Sequence, residues 1–219
     1  MTQRFPELLL EGCSGGGGRF DAGMLYYCPQ IWCSDNTDAI ERLRIQYGTS
    51  FGYPMSSVSA HVSVCPNHQN HRVTPFKTRG ICAMQGTFGY ELDLSKMTDE
   101  EKKMAGEQIA FFKEHGRLFQ FGDYYRLTSP FENRDYTVWE YAAQDGSEAC
   151  MSVVYTDMYA NATSEIVKWK GLDPKKFYQM QIDGEDAGNF SGAALMHAGI
   201  LLPLPEQNYD AFQIYLKAE

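Results

Sequence analysis

The fold is decided by residues 30–48, which read QIWCSDNTDAIERLRIQYG. The apolar start of this stretch predicts a buried strand over residues 30–35. Beyond a polar turn, Ile40, Leu43 and Tyr47 recur at the spacing of one helical face, which predicts a helix ending at the next glycine. A strand followed by a helix is the repeating unit of parallel sheets, so this stretch predicts one βα unit.

The segments on either side repeat this order. Residues 7–11 form an apolar run with a Gly/Ser-rich loop behind it, which is typical of a buried parallel strand. Residues 57–63 predict a third strand, and Thr74-Pro75 opens a short helix because proline is favoured in a first helical turn. Residues 81–94 predict a fourth strand.

The chain divides into two parts that differ in their sequence pattern. Thr98 and Glu101 form the capping box of a helix that we expect Gly116 to end. Residues 1–116 therefore predict an α/β domain of about four βα units. Residues 117–219 alternate polar and apolar side chains in short runs separated by turns, with Asp145-Gly146 as a hairpin signal. This alternating pattern predicts an antiparallel β-sandwich domain.

Composition excludes several classes of protein. The chain has 219 residues, 43% of them hydrophobic, and a net charge of −9, so we expect a globular protein that does not bind nucleic acid. No apolar run approaches the ~20 residues that a membrane span needs, and the first residues show no secretory signal. The six cysteines have irregular spacing, which favours reduced thiols and a cytoplasmic location.

Ligands of parallel βα folds lie at the carboxyl ends of the strands, which selects three loops here: residues 11–21, residues 32–38 and the segment after His61. Four consecutive glycines, 15–18, allow backbone N–H groups to approach a polar substrate closely. A flexible turn explains the same glycines, and composition does not separate the two interpretations.

Asp35 has two interpretations from the residues alone. Beside Trp32, a desolvated carboxylate would have a raised pKa, which suits a general acid. An ordinary helix N-cap is the commoner role, and each residue from Asp35 to Asp38 could fill it, with Asp38 favoured as the first-turn partner of the helix dipole.

A metal site is not predicted. Cys65, His68 and His71 lie close together in the sequence but match no standard zinc spacing, and no second pair of ligands lies nearby. Hydrogen bonding within a loop is the simpler interpretation.

Two motifs carry a resemblance to a known family. Residues 9–21, LLEGCSGGGGRFD, and residues 32–38, WCSDNTD, resemble the signature motifs of the bacterial-type α-galactosidases of glycoside hydrolase family 36. Further agreement lies in residues 42–48, 59–63, 66–69, 86–94 and 202–205, so the resemblance runs essentially end to end.

The resemblance implies a (β/α)8 barrel followed by a C-terminal antiparallel β domain. It implies that Asp35 is the general acid/base, and that Cys13 and Gly15 contact galactose. The implied reaction is hydrolysis, with retention, of terminal α-linked galactose from oligosaccharides such as raffinose or melibiose. No metal or organic cofactor is implied.

The resemblance also implies that the chain is a C-terminal fragment. A complete barrel takes about 250 residues, so four βα units correspond to strands five to eight. The family's nucleophile lies in a Lys-Trp-Asp motif, whereas the only Lys-Trp here, Lys168-Trp169, continues into Lys170. Glu11 and Asp21 are the nearest other carboxylates, and neither matches that nucleophile. We therefore expect the chain alone to be inactive.

An alternative of another class is a non-catalytic carbohydrate-binding or assembly module. Half a barrel leaves open sheet edges and an uncovered apolar interior, which predicts a homo-oligomer or pairing with the missing half.

Overall fold

The computed structural model describes residues 2–219 and shows a mixed α/β protein with two main sheets. The first sheet has four parallel strands in sequential order: β1 (Glu11–Gly12), β2 (Gln30–Trp32), β3 (Val58–Ser63) and β4 (Thr87–Glu91). The helices of this region are α1 (Ser14–Gly17), α2 (Ala22–Leu25), α3 (Ala39–Thr49), α4 (Phe76–Ala83), α5 (Asp99–Glu114) and α6 (Gly116–Phe121). The predicted βα alternation is confirmed.

Several predicted boundaries are wrong. The first strand is only Glu11–Gly12, and Leu9 is 86% exposed, because β1 is an edge strand that pairs with β2 alone. The fourth strand was expected from residue 81, but α4 continues to Ala83 before β4 begins. Gly116 does not end a helix; α5 ends at Glu114 and the glycine begins α6.

The second region contains eight strands and one helix: β5 (Asp123–Arg126), β6 (Tyr136–Ala142), β7 (Glu148–Tyr155), β8 (Ile166–Val167), β9 (Phe177–Ile182), β10 (Glu185–Ser191), α7 (Gly192–His197), β11 (Ile200–Leu201) and β12 (Ala211–Ala218). Six of the strands form an antiparallel sheet in the order β10-β9-β12-β7-β6-β5, and β8 pairs with β11. The antiparallel prediction and the Asp145-Gly146 hairpin are confirmed, since Gly146 has a φ of 64° in the β6–β7 turn. The sandwich and the boundary after residue 116 stay predictions.

The large antiparallel sheet is covered on both faces, which its alternating sequence did not predict. Val138 and Ala142 of β6 pack in one apolar cluster with Trp169 and other residues of the second region. Trp139 and Tyr141, which alternate with them, pack in a different cluster that also contains residues of α3, α4 and α6. The sheet is therefore the common support of both regions.

The capping box of α5 forms as the sequence predicts. The Thr98 hydroxyl accepts a hydrogen bond from the Glu101 N–H at 3.1 Å, and the Glu101 carboxylate accepts one from the Thr98 N–H at the same distance. All six cysteines are free. No helix within residues 2–219 is both long and apolar enough to cross a membrane.

Candidate active site

Asp35 lies in the loop at the carboxyl end of β2, and its side chain is exposed. The indole N–H of Trp32 donates a hydrogen bond to Asp35 Oδ1 at 3.1 Å. The expected desolvation of this carboxylate by Trp32 is wrong for this chain, because the aromatic residue contacts Asp35 through its N–H group and leaves the carboxylate open to solvent. Trp32 fixes the direction of a carboxylate that a ligand can reach.

The alternative role, helix capping, belongs to Asp38. Asp38 Oδ1 accepts a hydrogen bond from the Glu41 N–H at 2.8 Å, at the start of α3, and also pairs with Arg72. Asp38 is 1% exposed, whereas Asp35 is exposed. The two aspartates of the motif thus have different environments: Asp38 is a buried helix cap, and Asp35 is exposed.

The glycine-rich loop after β1 packs directly against the Asp35 loop. Gly15, Gly16 and Gly17 have φ values of 62°, 76° and 85°, which residues other than glycine rarely adopt. A Cβ atom on Gly16 would lie 2.8 Å from Asp35 Oδ2, and one on Gly17 would lie 2.3 Å from the carbonyl oxygen of Cys33. Gly17 is therefore required by contact with the backbone, whereas a Cβ atom on Gly16 would displace the end of the Asp35 side chain.

Gly15 differs from its neighbours. It is exposed, and a Cβ atom on it would meet no atom within 4 Å. Cys13, at the start of the same loop, is also exposed. Both residues that the resemblance assigns to galactose therefore face open space beside the loop that carries Asp35.

The loop after β3 holds the Asp35 loop from the other side. Gln69 Nε2 donates to the Asp35 carbonyl oxygen at 3.0 Å, and Gln69 Oε1 accepts from the Thr37 N–H at 3.0 Å. Asn67 Nδ2 donates to Thr37 Oγ1, also at 3.0 Å. All three loops that the strand-end rule selected thus meet at Asp35.

Arg42 supports the site from behind, a role that the sequence did not indicate. Its guanidinium lies 4.3 Å from the centroid of the Trp32 ring and donates to the carbonyl oxygens of Ser34 at 2.9 Å and Ser59 at 2.7 Å. His61 stacks on Trp32 with ring centroids 4.7 Å apart. Burial lowers the pKa of Arg42 from its ordinary value.

The sequence missed Arg42 and Gln69 because their partners lie far away along the chain. Arg42 joins β2 to β3, and Gln69 joins two loops 34 residues apart. No spacing rule for helices or strands connects such positions. The strand-end rule selected the segment after His61, and the family motifs covered residues 42–48 and 66–69, but neither indicated these particular contacts.

Neither of the other two carboxylates considered for catalysis is free. Glu11 Oε1 accepts hydrogen bonds from the Ser59 hydroxyl and, at 3.1 Å, from Gln30 Nε2. Asp21 caps α2, where its Oδ1 accepts from the Met24 N–H at 2.9 Å. Both side chains therefore accept structural hydrogen bonds in this chain.

Cys65, His68 and His71 follow one another closely in the loop after β3. Among residues 2–219, no group of three or more His, Cys, Asp or Glu side chains is placed to hold an ion. The Cys65 thiol instead donates to the carbonyl oxygen of Thr74 at 3.6 Å, as expected for a loop contact. Burial raises the pKa of the Cys33 thiol, with Arg42 opposing the shift, so this cysteine is poorly suited to act as a thiolate nucleophile.

Models of two known families match successive parts of the chain. Residues 1–122 match the melibiase family, and residues 136–216 match the glycosyl hydrolase family 36 C-terminal domain.

Similar proteins are much longer than this chain. It is 53% identical over 213 residues to the bifunctional alpha-galactosidase/sucrose kinase AgaSK of Mediterraneibacter gnavus, and 50% identical over 218 residues to alpha-galactosidase AgaA of Geobacillus stearothermophilus. These matches cover 97% and 100% of the chain but only 22% and 29% of the two relatives.

Solved structures agree with these matches. The chain superposes on the alpha-galactosidase AgaB of G. stearothermophilus with a TM-score of 0.94 and 51% identity, over 100% of this chain and 30% of that one. It superposes equally well, with 50% identity and the same coverage, on an AgaA variant in complex with raffinose.

Proposed function

The chain belongs to the melibiase family of glycosyl hydrolases, and on that basis we propose that it supplies the acid/base side of a retaining α-galactosidase active site. The observation that carries the proposal is the placement of Asp35, exposed at the end of a parallel strand and held by Trp32 and Gln69. The substrate class is an oligosaccharide with a terminal α-linked galactose, as suggested by the raffinose bound to the AgaA variant.

The chemistry that we propose for Asp35 has two stages. Its carboxylic acid first gives a proton to the glycosidic oxygen as the bond to C1 of galactose breaks, and a second carboxylate attacks C1 to form a covalent intermediate. The Asp35 carboxylate then takes a proton from the water that hydrolyses this intermediate. Cys13 and Gly15 contact the galactose in this proposal, and no cofactor takes part.

The second carboxylate must come from outside this chain. Retaining enzymes place their two carboxyl groups about 5–5.5 Å apart. Glu11 and Asp21 are already engaged by Ser59 and by the start of α2. We therefore propose that the four parallel strands are strands five to eight of a (β/α)8 barrel, that the first half brings the nucleophile, and that the chain alone is inactive.

The order and edges of the parallel sheet support this arrangement. The strands follow one another in sequence, as the strands of such a barrel do. Each of the outer strands, β1 and β4, has a partner on one side only, so either edge can accept a further strand. We propose that these edges pair with the missing half or, without it, with another copy. The cytoplasmic location stays a prediction.

The test is hydrolysis of an aryl α-galactoside by the purified chain, with and without the preceding part of the AgaA relative as a separate polypeptide. We expect turnover only in the mixture, and a loss of about 10²–10⁴-fold with Asp35→Asn. Asp21→Asn is the matched control, since asparagine also caps helices well. The loss should shrink for an aryl group that leaves without protonation.

Two outcomes would contradict the proposal. Equal turnover by the Asp35→Asn and Asp21→Asn mixtures would remove Asp35 from the acid/base role. Turnover by the chain alone that Asp35→Asn abolishes would keep that role but show that a carboxylate of this chain is the nucleophile. If neither mixture turns over, saturable binding of melibiose that survives Asp35→Ala would favour a carbohydrate-binding module.

A further inference from the structure

A cavity of about 410 Å³ lies away from the Asp35 carboxylate, where α3 meets the edge of the antiparallel region. It is lined by residues of α3, by Arg72, by the loop before β6, by Thr137 of β6, and by Thr156, which follows β7. A volume of this size accommodates a small organic molecule. The function proposed for Asp35 makes no use of this cavity.

Thr137 lines the cavity and carries a buried hydroxyl without a partner. The residue is 2% exposed, and its Oγ1 has no hydrogen-bond partner within residues 2–219. A buried hydroxyl without a partner is unfavourable, so such groups normally contact water or a ligand. Thr137 has the same parity on β6 as Trp139, which packs against the cluster that contains Leu43 of α3, so its side chain is on the face that the cavity borders.

The side chains around the cavity carry a net positive charge, opposite in sign to the net charge of the whole chain. Three arginines line it, Arg44, Arg72 and Arg134, with one carboxylate, Glu41. Arg72 is paired with Asp38, but neither Arg44 nor Arg134 forms an ion pair with any residue from 2 to 219. In a protein with a net charge of −9, such a concentration of guanidinium groups is a local excess.

Arg44 is partly oriented without an anion. Its Nε donates to the carbonyl oxygen of Pro130 at 3.3 Å, and its guanidinium lies 6.0 Å from the ring centroid of Phe131. The Glu41 carboxylate accepts a hydrogen bond from Asn36 Nδ2 at 2.5 Å. The guanidinium groups of Arg44 and Arg134, which form no ion pair within residues 2–219, are available to a ligand.

We propose that this cavity binds a phosphate group, as inorganic phosphate or as a small phosphomonoester such as a hexose phosphate. Guanidinium groups bind phosphate through paired charge-assisted hydrogen bonds, and the Thr137 hydroxyl supplies a further donor. A neutral sugar would leave the two unpaired arginines without a counter-charge. The proposal does not depend on the activity proposed for Asp35.

Binding in this cavity has a structural consequence. Its walls come from both regions of the molecule, so a bound phosphate would join α3 to the β6–β7 pair and stabilise their association. Arg72 connects the cavity to Asp38, the cap of α3, which lies three residues from Asp35. A phosphate ligand would thus also hold the base of the Asp35 loop.

The experiment uses the purified chain, with calorimetric titration and thermal unfolding at constant ionic strength. Inorganic phosphate, glucose 6-phosphate and glucose are compared, with chloride as the reference anion. We expect saturable binding and a raised Tm with both phosphates and none with glucose. Tighter binding of glucose 6-phosphate would identify an organic phosphate as the ligand, and equal or weaker binding would identify the free anion.

Variants assign the binding to this cavity. The double change Arg44→Gln and Arg134→Gln removes two exposed guanidinium groups, and we expect it to weaken phosphate binding by roughly tenfold or more. Arg117→Gln, which changes an arginine outside the cavity, is the control. Thr137→Val should not lower the Tm without phosphate, because it removes an unpartnered hydroxyl, but it should weaken phosphate binding.

The proposal is overturned if phosphate gives no saturable effect beyond that of chloride. It is equally overturned if the double variant binds phosphate as tightly as the Arg117→Gln control. Unchanged phosphate affinity in Thr137→Val would remove that hydroxyl from the site.

Discussion

The two regions of the molecule differ in the length of their strands and in the number of large side chains that they bury. In the parallel sheet, β1 and β2 have two and three residues, whereas β7 and β12 of the antiparallel sheet have eight each. Of the twelve largest fully buried side chains, eight lie beyond residue 122 and four before it. The candidate catalytic loops thus belong to the region with the shorter strands and fewer large buried side chains. The stability of the chain resides mainly in the antiparallel sheet and in the side chains that pack on it.

The strongest test of this comparison removes a large side chain from each region. Trp139, 1% exposed, packs in the cluster that joins the antiparallel sheet to the helices, whereas Leu9 is 86% exposed. We expect Trp139→Ala to lower the free energy of unfolding by about 3–5 kcal/mol and Leu9→Ala to change it by less than about 0.5 kcal/mol. Denaturant unfolding followed by circular dichroism measures both. Similar losses for the two variants would break the comparison.

A second test concerns a carboxylate inside the antiparallel sheet. Glu140 is fully buried and accepts hydrogen bonds from the Lys170 N–H at 3.3 and 3.0 Å. Burial raises its pKa to about 9, against the lowering effect of Lys170. The folded protein therefore binds a proton that the unfolded chain loses near pH 4.5.

The sign of the pH effect follows from this difference. The contribution of Glu140 to stability is greatest below about pH 4.5 and is lost as the pH rises toward about 9. Relative to Glu140→Gln, the unmodified chain should lose at most about 1.4 kcal/mol per pH unit in this range. Urea unfolding of both proteins at several pH values measures the difference between their free energies of unfolding. Contributions from the other titrating groups are the same in both proteins and cancel in this difference. Parallel stability curves would show that Glu140 is ionised in the folded state.

The last test compares two positions of the glycine-rich loop in the parallel region. Gly17→Ala places a Cβ atom 2.3 Å from the Cys33 carbonyl oxygen at a φ of 85°, whereas Gly15→Ala places one in open space at a φ of 62°. We expect losses of about 2–3 and about 1 kcal/mol, respectively. Thermal unfolding measures both losses. Equal losses would mean that backbone strain alone, and not contact with the Asp35 loop, requires glycine at position 17.

Much of the fold could be predicted from sequence because its signals are local. The strand–turn–helix order of residues 30–48, the Thr98 capping box and the Asp145-Gly146 turn depend on residues a few positions apart. The first strand failed for a different reason. The apolar run of residues 7–11 predicts burial, but whether a strand is covered depends on its neighbours in the sheet, and β1 has only one.

The candidate site was predicted in part. The strand-end rule selected the three loops, and the family resemblance selected Asp35 among four residues able to cap a helix. The positions of Arg42 and Gln69 could not be predicted, since their contacts cross from one strand or loop to another. The same holds for the arginine-lined cavity, whose residues are spread from Ile40 to Thr156.

By itself, the sequence determined the βα order of the first region, the antiparallel strands of the second, the Thr98 capping box and the family to which the chain belongs, because short-range periodicity and specific motifs carry that information. Only the tertiary structure decided that Asp38 is buried as a cap while Asp35 is exposed, and that the antiparallel sheet is covered on both faces. Burial is a property of what packs against a residue, and the packing partners here come from distant parts of the chain.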